Sequence, residues 1–344
     1  MTTTSDARPP RDEVELEDRL SLPSPSLPAL LAGIPGALII LGAGGKMGPS
    51  LARMARRCDP ARRVIAVSRW SDAASAAALR DVGVDTISAD LLDPRALAAL
   101  PDAPNVVFMA GQKFGTTGSP AATWAMNAAV PAFAAERFAR SRVVVFSTGN
   151  VYPLTPLERG GSVETDPLAP VGEYASSCLA RERLFTAASE RHRTPVAIVR
   201  LNYAHDLRYG VLTDMAARIV RGEAIDLRMS AVNVLWQGDA NALALAALSR
   251  AAAPEPYVVN VAGPNVLRTR DLAERLGVRL GIAPVFSGEE GTDALLSNSA
   301  RMTELLGDAL LPLDVLIDWV TEWIRAGNRL LGKPTGFERR DGRF

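Results

Sequence analysis

The sequence is poor in the residues that build metal centres, disulfide frameworks and membrane spans. Its two cysteines, Cys58 and Cys178, lie far apart in segments that read as helix, which suits a reducing compartment better than a disulfide scaffold. Its two histidines, His192 and His205, stand without a neighbouring cluster of cysteine or carboxylate, so no zinc or iron site is expected. Lysine occurs only three times, as Lys46, Lys113 and Lys333, the other basic residues being arginines. There is no long hydrophobic run: the approach from Leu27 to Leu41 is broken by Gly33, Pro35 and Gly36, too short to cross a bilayer. Residues 1–20 are acidic and polar, without the basic start and apolar core of a secretory signal. A cytoplasmic location with no membrane partner is expected. The formal net charge is zero and no basic stripe gathers on one helix, so nucleic acid is not an expected partner.

What is present is apolar material: 48% of 344 residues, enough to bury a sizeable core in one large domain or two smaller ones. Residues 1–36 carry a charged run (11–19) and a Pro/Ser stretch (21–28), predicting a short helix and a tether. Strands then alternate with helices: strands at 37–41, 63–68, 86–89, 105–110 and 142–147, helices at 49–57, 73–82, 95–99 and 121–139. Apolar β-branched strands without polar alternation predict an α/β fold, a Rossmann-type doubly wound parallel sheet covered on both faces. Further strands are expected at 196–201 and 257–262, and helices near 174–191, 214–221, 239–250, 269–276 and 312–326. This divides the chain into an extension (1–36), a Rossmann-type sheet domain (37–203, with the strand at 257–262), to which the glycine turn after its first strand gives a dinucleotide-binding role, a smaller, mixed substrate-binding subdomain (204–330) and a tail (331–344). The tail is polar and is expected to cover a neighbour or a subunit, with a homodimer as the assembly considered.

The segment Leu41-Gly42-Ala43-Gly44-Gly45-Lys46-Met47-Gly48 falls between the first strand and a helix that Pro49 can start. Glycines there allow a tight turn, approach to a pyrophosphate without a Cβ in the way, and close packing of helix on strand. Gly42, Gly45, Lys46, Met47 and Gly48 are therefore the expected cradle, with helix N-terminal amides toward the phosphates. NAD-preferring proteins of this kind place a carboxylate at the end of the second strand, some 20 residues on. Here that end reads Ser68-Arg69, a hydroxyl and a guanidinium suited to a 2′-phosphate, so NADP is favoured over NAD.

The spacing of Gly42, Gly45 and Gly48 resembles the extended short-chain dehydrogenase/reductases, which include nucleotide-sugar epimerases, dehydratases and reductases, and the resemblance runs over about 37–330. It implies that Asp90-Leu91 contacts adenine, that the Met109-Ala110-Gly111 loop passes the cofactor, and that Asn127 is the structural asparagine of the next helix. Ser147-Thr148 with Val151-Tyr152 matches the fifth-strand motif; Arg200 to Asn202 and Asp239 fall where the family has later markers. The family's Tyr-x-x-x-Lys helix motif is represented by Tyr174 and Cys178, so the lysine that lowers the phenol pKa and holds the nicotinamide ribose is absent.

Three outcomes stay open: another cation replaces the lysine, Tyr174 acts as an acid in a reduction, or a dinucleotide is bound without turnover. Lys113 is the first candidate cation, in a loop resembling that of sugar-nucleotide 4-epimerases; Arg181, seven residues after Tyr174, is the second. The 4,6-dehydratases carry Thr-Asp-Glu where this chain has Thr148-Gly149-Asn150, which disfavours dehydration. The expected catalytic set is Tyr174, Ser147, Thr148 and Lys113, with Tyr174 and Cys178 also on the cofactor. A sugar-type small molecule is expected to meet Asn127, Asn150, Asn202, Arg200 and His205, with Arg208 and Arg228 as further anion donors. The function implied is NAD(P)-dependent oxidation–reduction or epimerisation at a secondary alcohol or ketone of a sugar, sugar acid or nucleotide sugar; the alternative is a dinucleotide-binding sensor or scaffold that has lost catalysis.

Overall fold

The computed structural model describes residues 8–333 and 335–343. Two helices precede the sheet: α1 (Glu13–Leu20), where the Asp12 carboxylate accepts from the Glu15 amide, and α2 (Leu27–Ala32). The chain then alternates through β1 (Leu38–Leu41), α3 (Gly48–Cys58), β2 (Val64–Ser68), α4 (Ala73–Arg80), β3 (Asp85–Ser88), α5 (Pro94–Ala98) and β4 (Asn105–Phe108). After β4 come α6 (Pro120–Trp124), α7 (Val130–Arg137), β5 (Arg142–Thr148), α8 (Gly172–His192), β6 (Val196–Leu201), α9 (Val211–Arg221), α10 (Gln237–Ala246), β7 (Tyr257–Val261), α11 (Thr269–Leu280) and α12 (Leu313–Arg325).

The seven strands form one parallel sheet in the order β7-β6-β5-β4-β1-β2-β3. Strand side chains alternate between faces, so β1 serves two cores. Leu38 and Ile40 pack with α2, α3 and α10; Ile39 and Leu41 pack with α5, α7 and α8. Burial on both faces is why these strands read as unbroken apolar runs. A third core joins α1, α9, α11 and α12, with Trp236 and Trp319 edge to face at 5.4 Å.

Three expectations need correction. The extension is no tether: Leu16 and Leu20 enter the third core and Leu27 and Leu31 the first, all buried. The tail folds onto its own chain, with Phe337 buried beside α9 and α12. The helix expected at 121–139 is divided by a π turn, Ala125–Ala129, between α6 and α7. Pro131 at the start of α7 has no amide to give to the carbonyl four residues back, which frees that turn to widen. Among the described residues, no helix is long and apolar enough to cross a membrane.

Candidate active site

The strand order reverses between β1 and β4, and at the carboxyl ends of these strands opens a cavity of about 960 Å³. Gly42, with φ +89°, turns the chain there; a Cβ on it would lie 2.5 Å from the Ala110 backbone, and its amide donates to the Val67 carbonyl at 2.9 Å. A Cβ on Gly48 would collide with the Ala43 carbonyl. Both positions are therefore fixed by the protein's own packing. Gly45 differs, because a Cβ there would meet nothing nearer than the Gly42 oxygen at 3.5 Å, and it faces the cavity. That open space lies beside the start of α3, whose first-turn amides have no intrahelical acceptor. The cradle fits a dinucleotide pyrophosphate and would be filled by a side chain.

Lys46, Met47, Met109 and Gly111 line the same wall. The Lys46 ammonium stands 4.3 Å from the Tyr209 ring centroid and donates to the Ala204 carbonyl at 3.3 Å. Burial lowers its pKa to about 8, against the pull of Asp206. Ala110 is buried against Gly42 rather than exposed to the cavity.

Tyr174, in the first turn of α8, lines the cavity with Ser147, Thr148 and Lys113. Its hydroxyl makes hydrogen bonds with Thr148 and Cys178; burial pushes the phenol pKa up, Cys178 adds to this, and Arg181 opposes it. The Lys113 ammonium is 6.0 Å from the Tyr174 ring centroid, its pKa lowered by burial to about 8, with Cys178 and Asp214 acting the other way. Cys178 is fully buried beside Val151 and Tyr152 and outside the cavity wall, and burial pushes its thiol up. The expected cofactor contact through Cys178 is thus corrected: it is a neutral packing residue beneath Tyr174. Arg181 is also buried, donating to the Phe146 carbonyl at 2.8 Å and to Asn127 Oδ1 at 2.9 Å. Ser147 gives its hydroxyl to Glu182 at 2.5 Å, so Thr148 is the fifth-strand hydroxyl that meets Tyr174.

Of the expected substrate residues, Asn150 and Asn202 line the cavity and three do not. Arg200 is buried, paired with Glu182 at 2.8 Å and donating to the Tyr152 hydroxyl at 2.7 Å; a buried guanidinium needs such a partner, and this one leaves no reach to the cavity. His205 is fully buried and its Nε2 accepts from the Leu212 and Thr213 amides at 3.1 and 3.2 Å, at the start of α9; burial lowers its pKa to about 3. Asn127, in the π turn, clasps the loop after β4 through the Gln112 amide (2.8 Å) and carbonyl (2.9 Å). Arg208 lines the cavity but is held by Glu13, Glu17 and Asp206, and Arg228 pairs with Asp226 away from it.

At the carboxyl end of β2, Ser68 lies against Gly44, whose missing Cβ would strike the Ser68 hydroxyl, and it is outside the cavity wall, which corrects its expected cofactor contact. Arg69 is exposed and outside the cavity wall. Asp90 caps its own turn by accepting from the Leu92 amide at 3.0 Å, and Leu91 is in the core; neither lines the cavity, correcting the expected adenine contact. Arg53 of α3 and Asp72 at the N-cap of α4 line it instead. Neither falls in a motif. Also missed were Glu13, Glu17, Lys333 and Arg339, brought to the wall by the two chain ends; for Lys333 the scarcity of lysine was a signal.

The sequence profile of the NAD dependent epimerase/dehydratase family matches residues 38–262. A comparison with curated proteins returns no match. Among solved structures, Pal from Bacillus thuringiensis has TM-score 0.71 at 16% identity, covering 85% of this chain and 100% of that one. The UDP-glucose 4-epimerase of Thermotoga maritima, solved with UDP-glucose, has TM-score 0.68 at 15% identity over 85% and 99%. The dTDP-glucose 4,6-dehydratase of Bacillus anthracis, in complex with NAD, has TM-score 0.71 at 15% identity over 84% and 96%. These identities establish likeness of fold, and the profile, spanning well over half of the chain, establishes more: the chain belongs to the NAD dependent epimerase/dehydratase family.

Proposed function

We propose that the chain carries out NAD(P)-dependent oxidation–reduction, alone or within an epimerisation, at a secondary alcohol or ketone of a sugar, sugar acid or nucleotide sugar. The observation that carries this reading is the meeting of Tyr174, Thr148 and Lys113 in one cavity with the open cradle at Gly45. A bound dinucleotide supplies or accepts hydride. The Thr148 hydroxyl orients the substrate oxygen, and the proton moves between that oxygen and the Tyr174 hydroxyl. Burial keeps Tyr174 protonated, so it stands ready to donate to a carbonyl oxygen, and because burial also makes it a weaker acid, that donation needs a cation nearby. Lys113 supplies the positive charge that the helix position lacks. Asn150 and Asn202 offer hydrogen bonds to sugar hydroxyls, and Ser147 steadies the strand end through Glu182.

Dehydration is disfavoured on two grounds. Neither Gly149 nor Asn150 is an acid, and a Cβ at 149 would lie 2.9 Å from both Asn202 and Ser297, leaving no room for one. NADP is favoured over NAD because no carboxylate stands at the end of β2, where Ser68 and Arg69 lie outside the cavity wall, and because Arg53 brings a guanidinium to the wall itself; Asp72, already engaged as the α4 cap, is the carboxylate that argues for NAD. Calorimetric titration with both dinucleotides decides, markedly tighter NAD binding refuting the preference.

The function is tested by adding sugars, sugar acids and nucleotide sugars to the dinucleotide-loaded protein and following absorbance of the reduced nicotinamide. A change that Tyr174→Phe abolishes is expected. The second reading, a sensor that binds dinucleotide without turnover, draws on the neutral Cys178 beneath a phenol raised by burial. Tight dinucleotide binding with no absorbance change across these substrate classes would favour it.

A further inference from the structure

All three lysines of the chain line the one cavity. They are grouped around an aromatic pair, Phe114 and Tyr209, packed edge on at 6.1 Å. Lys46 stands over Tyr209; Lys113 and Lys333 each place an ammonium 6.0 Å from the Phe114 centroid. Lys333 arrives from the C-terminal segment, which is fixed on both sides of it. The Leu331 amide donates to the Arg208 carbonyl at 3.0 Å, and the Thr335 amide and hydroxyl donate to the Asp214 carboxylate at 2.7 and 2.6 Å. Phe337 is buried, and Glu338 pairs with Arg218 at 2.8 Å.

Cations gathered in a cleft with low-dielectric walls repel one another unless an anion answers them. Lys46 and Lys113 have Asp206 and Asp214 in their surroundings, and the carboxylates of the wall itself are engaged: Glu13 and Glu17 hold Arg208, and Asp72 caps α4. Among the described residues neither Lys333 nor Arg339, a second exposed cation from the same segment, has a carboxylate partner. Arg339 spends one guanidinium nitrogen on the Arg343 carbonyl and keeps others.

We propose that Lys333 and Arg339, on the cavity wall they share with Lys113 and Phe114, form an anion subsite that takes a phosphate or carboxylate group of the substrate. The substrate is then a charged sugar derivative, and the C-terminal segment is part of its binding wall. The inference rests on reading this cavity as a sugar-type oxidoreductase site, but its test needs no turnover. Ammonium and guanidinium donors both suit phosphate and carboxylate oxygens, the guanidinium in bidentate fashion.

The test is calorimetric titration with glucose 1-phosphate, glucuronate and glucose, on protein saturated with NAD so that the pyrophosphate cradle is filled. At least one charged probe should bind while glucose does not, and the charged probe bound shows which anion is taken. Lys333→Ala should weaken that binding by tenfold or more, Arg339→Ala should weaken it further, and Lys333→Arg should restore most of it. NAD affinity should be unchanged in all three variants. Wild-type affinity for the charged probe in Lys333→Ala, equal binding of glucose, or no binding of either charged probe at about 10 mM overturns the subsite. Failure of NAD itself to bind the wild-type protein overturns the reading of the cavity instead; the charged probes and Lys333→Ala, run without NAD, then judge the subsite separately.

Discussion

At position 178 a neutral thiol occupies the place where the family's helix motif has an ammonium, so burial, which holds the neighbouring Tyr174 protonated, is not opposed from that position. If Lys113 replaces that ammonium, its own titration limits activity. Its pKa is lowered from 10.5 to about 8, so the charge is present below pH 8 and lost above it. Lys113→Ala should lower the neutral-pH rate by about tenfold or more, and remove the step near pH 8, leaving an alkaline limb shifted upward with the phenol. The double variant Lys113→Ala with Cys178→Lys should recover part of the loss, because the cation returns to the Tyr174 face of α8. Full activity in Lys113→Ala, read from initial rates across the pH range, would assign the charge elsewhere, Arg181 being the nearest alternative. Tyr174 and Thr148 were legible in the sequence because four-residue spacing and the strand end fix their positions. Arg200 and His205 were not, since what decides their roles is a buried partner: Glu182 for one, the α9 amides for the other.

At the scale of elements, His205 works as a cap rather than a ligand. Its neutral Nε2 satisfies two amides that α9 leaves without acceptors, and burial holds its pKa at about 3 against an ordinary 6.5. Between those values the unfolded chain binds a proton that the folded chain does not, so this residue makes stability fall as pH drops below 6.5. The slope is about 1.4 kcal/mol per pH unit. His205→Gln keeps an acceptor without a titration; denaturant unfolding at pH 6.5, 6.0 and 5.5 should show a shallower loss of stability in the variant. An unchanged slope would remove His205 from the account. The strands and most helices of the sheet were legible from apolar runs and glycine punctuation, which are local signals. The π turn around Asn127 was hidden inside a continuous helical pattern, and α2 and the C-terminal segment lack periodicity because their order comes from Leu27, Leu31 and Phe337 packing against distant elements.

For the whole molecule, a parallel sheet sets the glycine turn and the Tyr174 helix on one cavity, and both chain ends complete its wall. Arg208 links α1, through Glu13 and Glu17, to the loop before α9, and the Leu331 amide bonds to its carbonyl. The central claim is that this cavity holds a nicotinamide dinucleotide on the cradle at Gly45, where no contact of the protein itself demands a glycine. Calorimetric titration of NAD and NADP into wild-type protein and Gly45→Val tests it most directly. The account predicts that the wild type binds at least one of them, and that Gly45→Val loses a hundredfold or more in affinity with an unchanged melting temperature, because its side chain fills the pyrophosphate site. Wild-type affinity in a well-folded Gly45→Val, or no binding of either dinucleotide by the wild type, would contradict it.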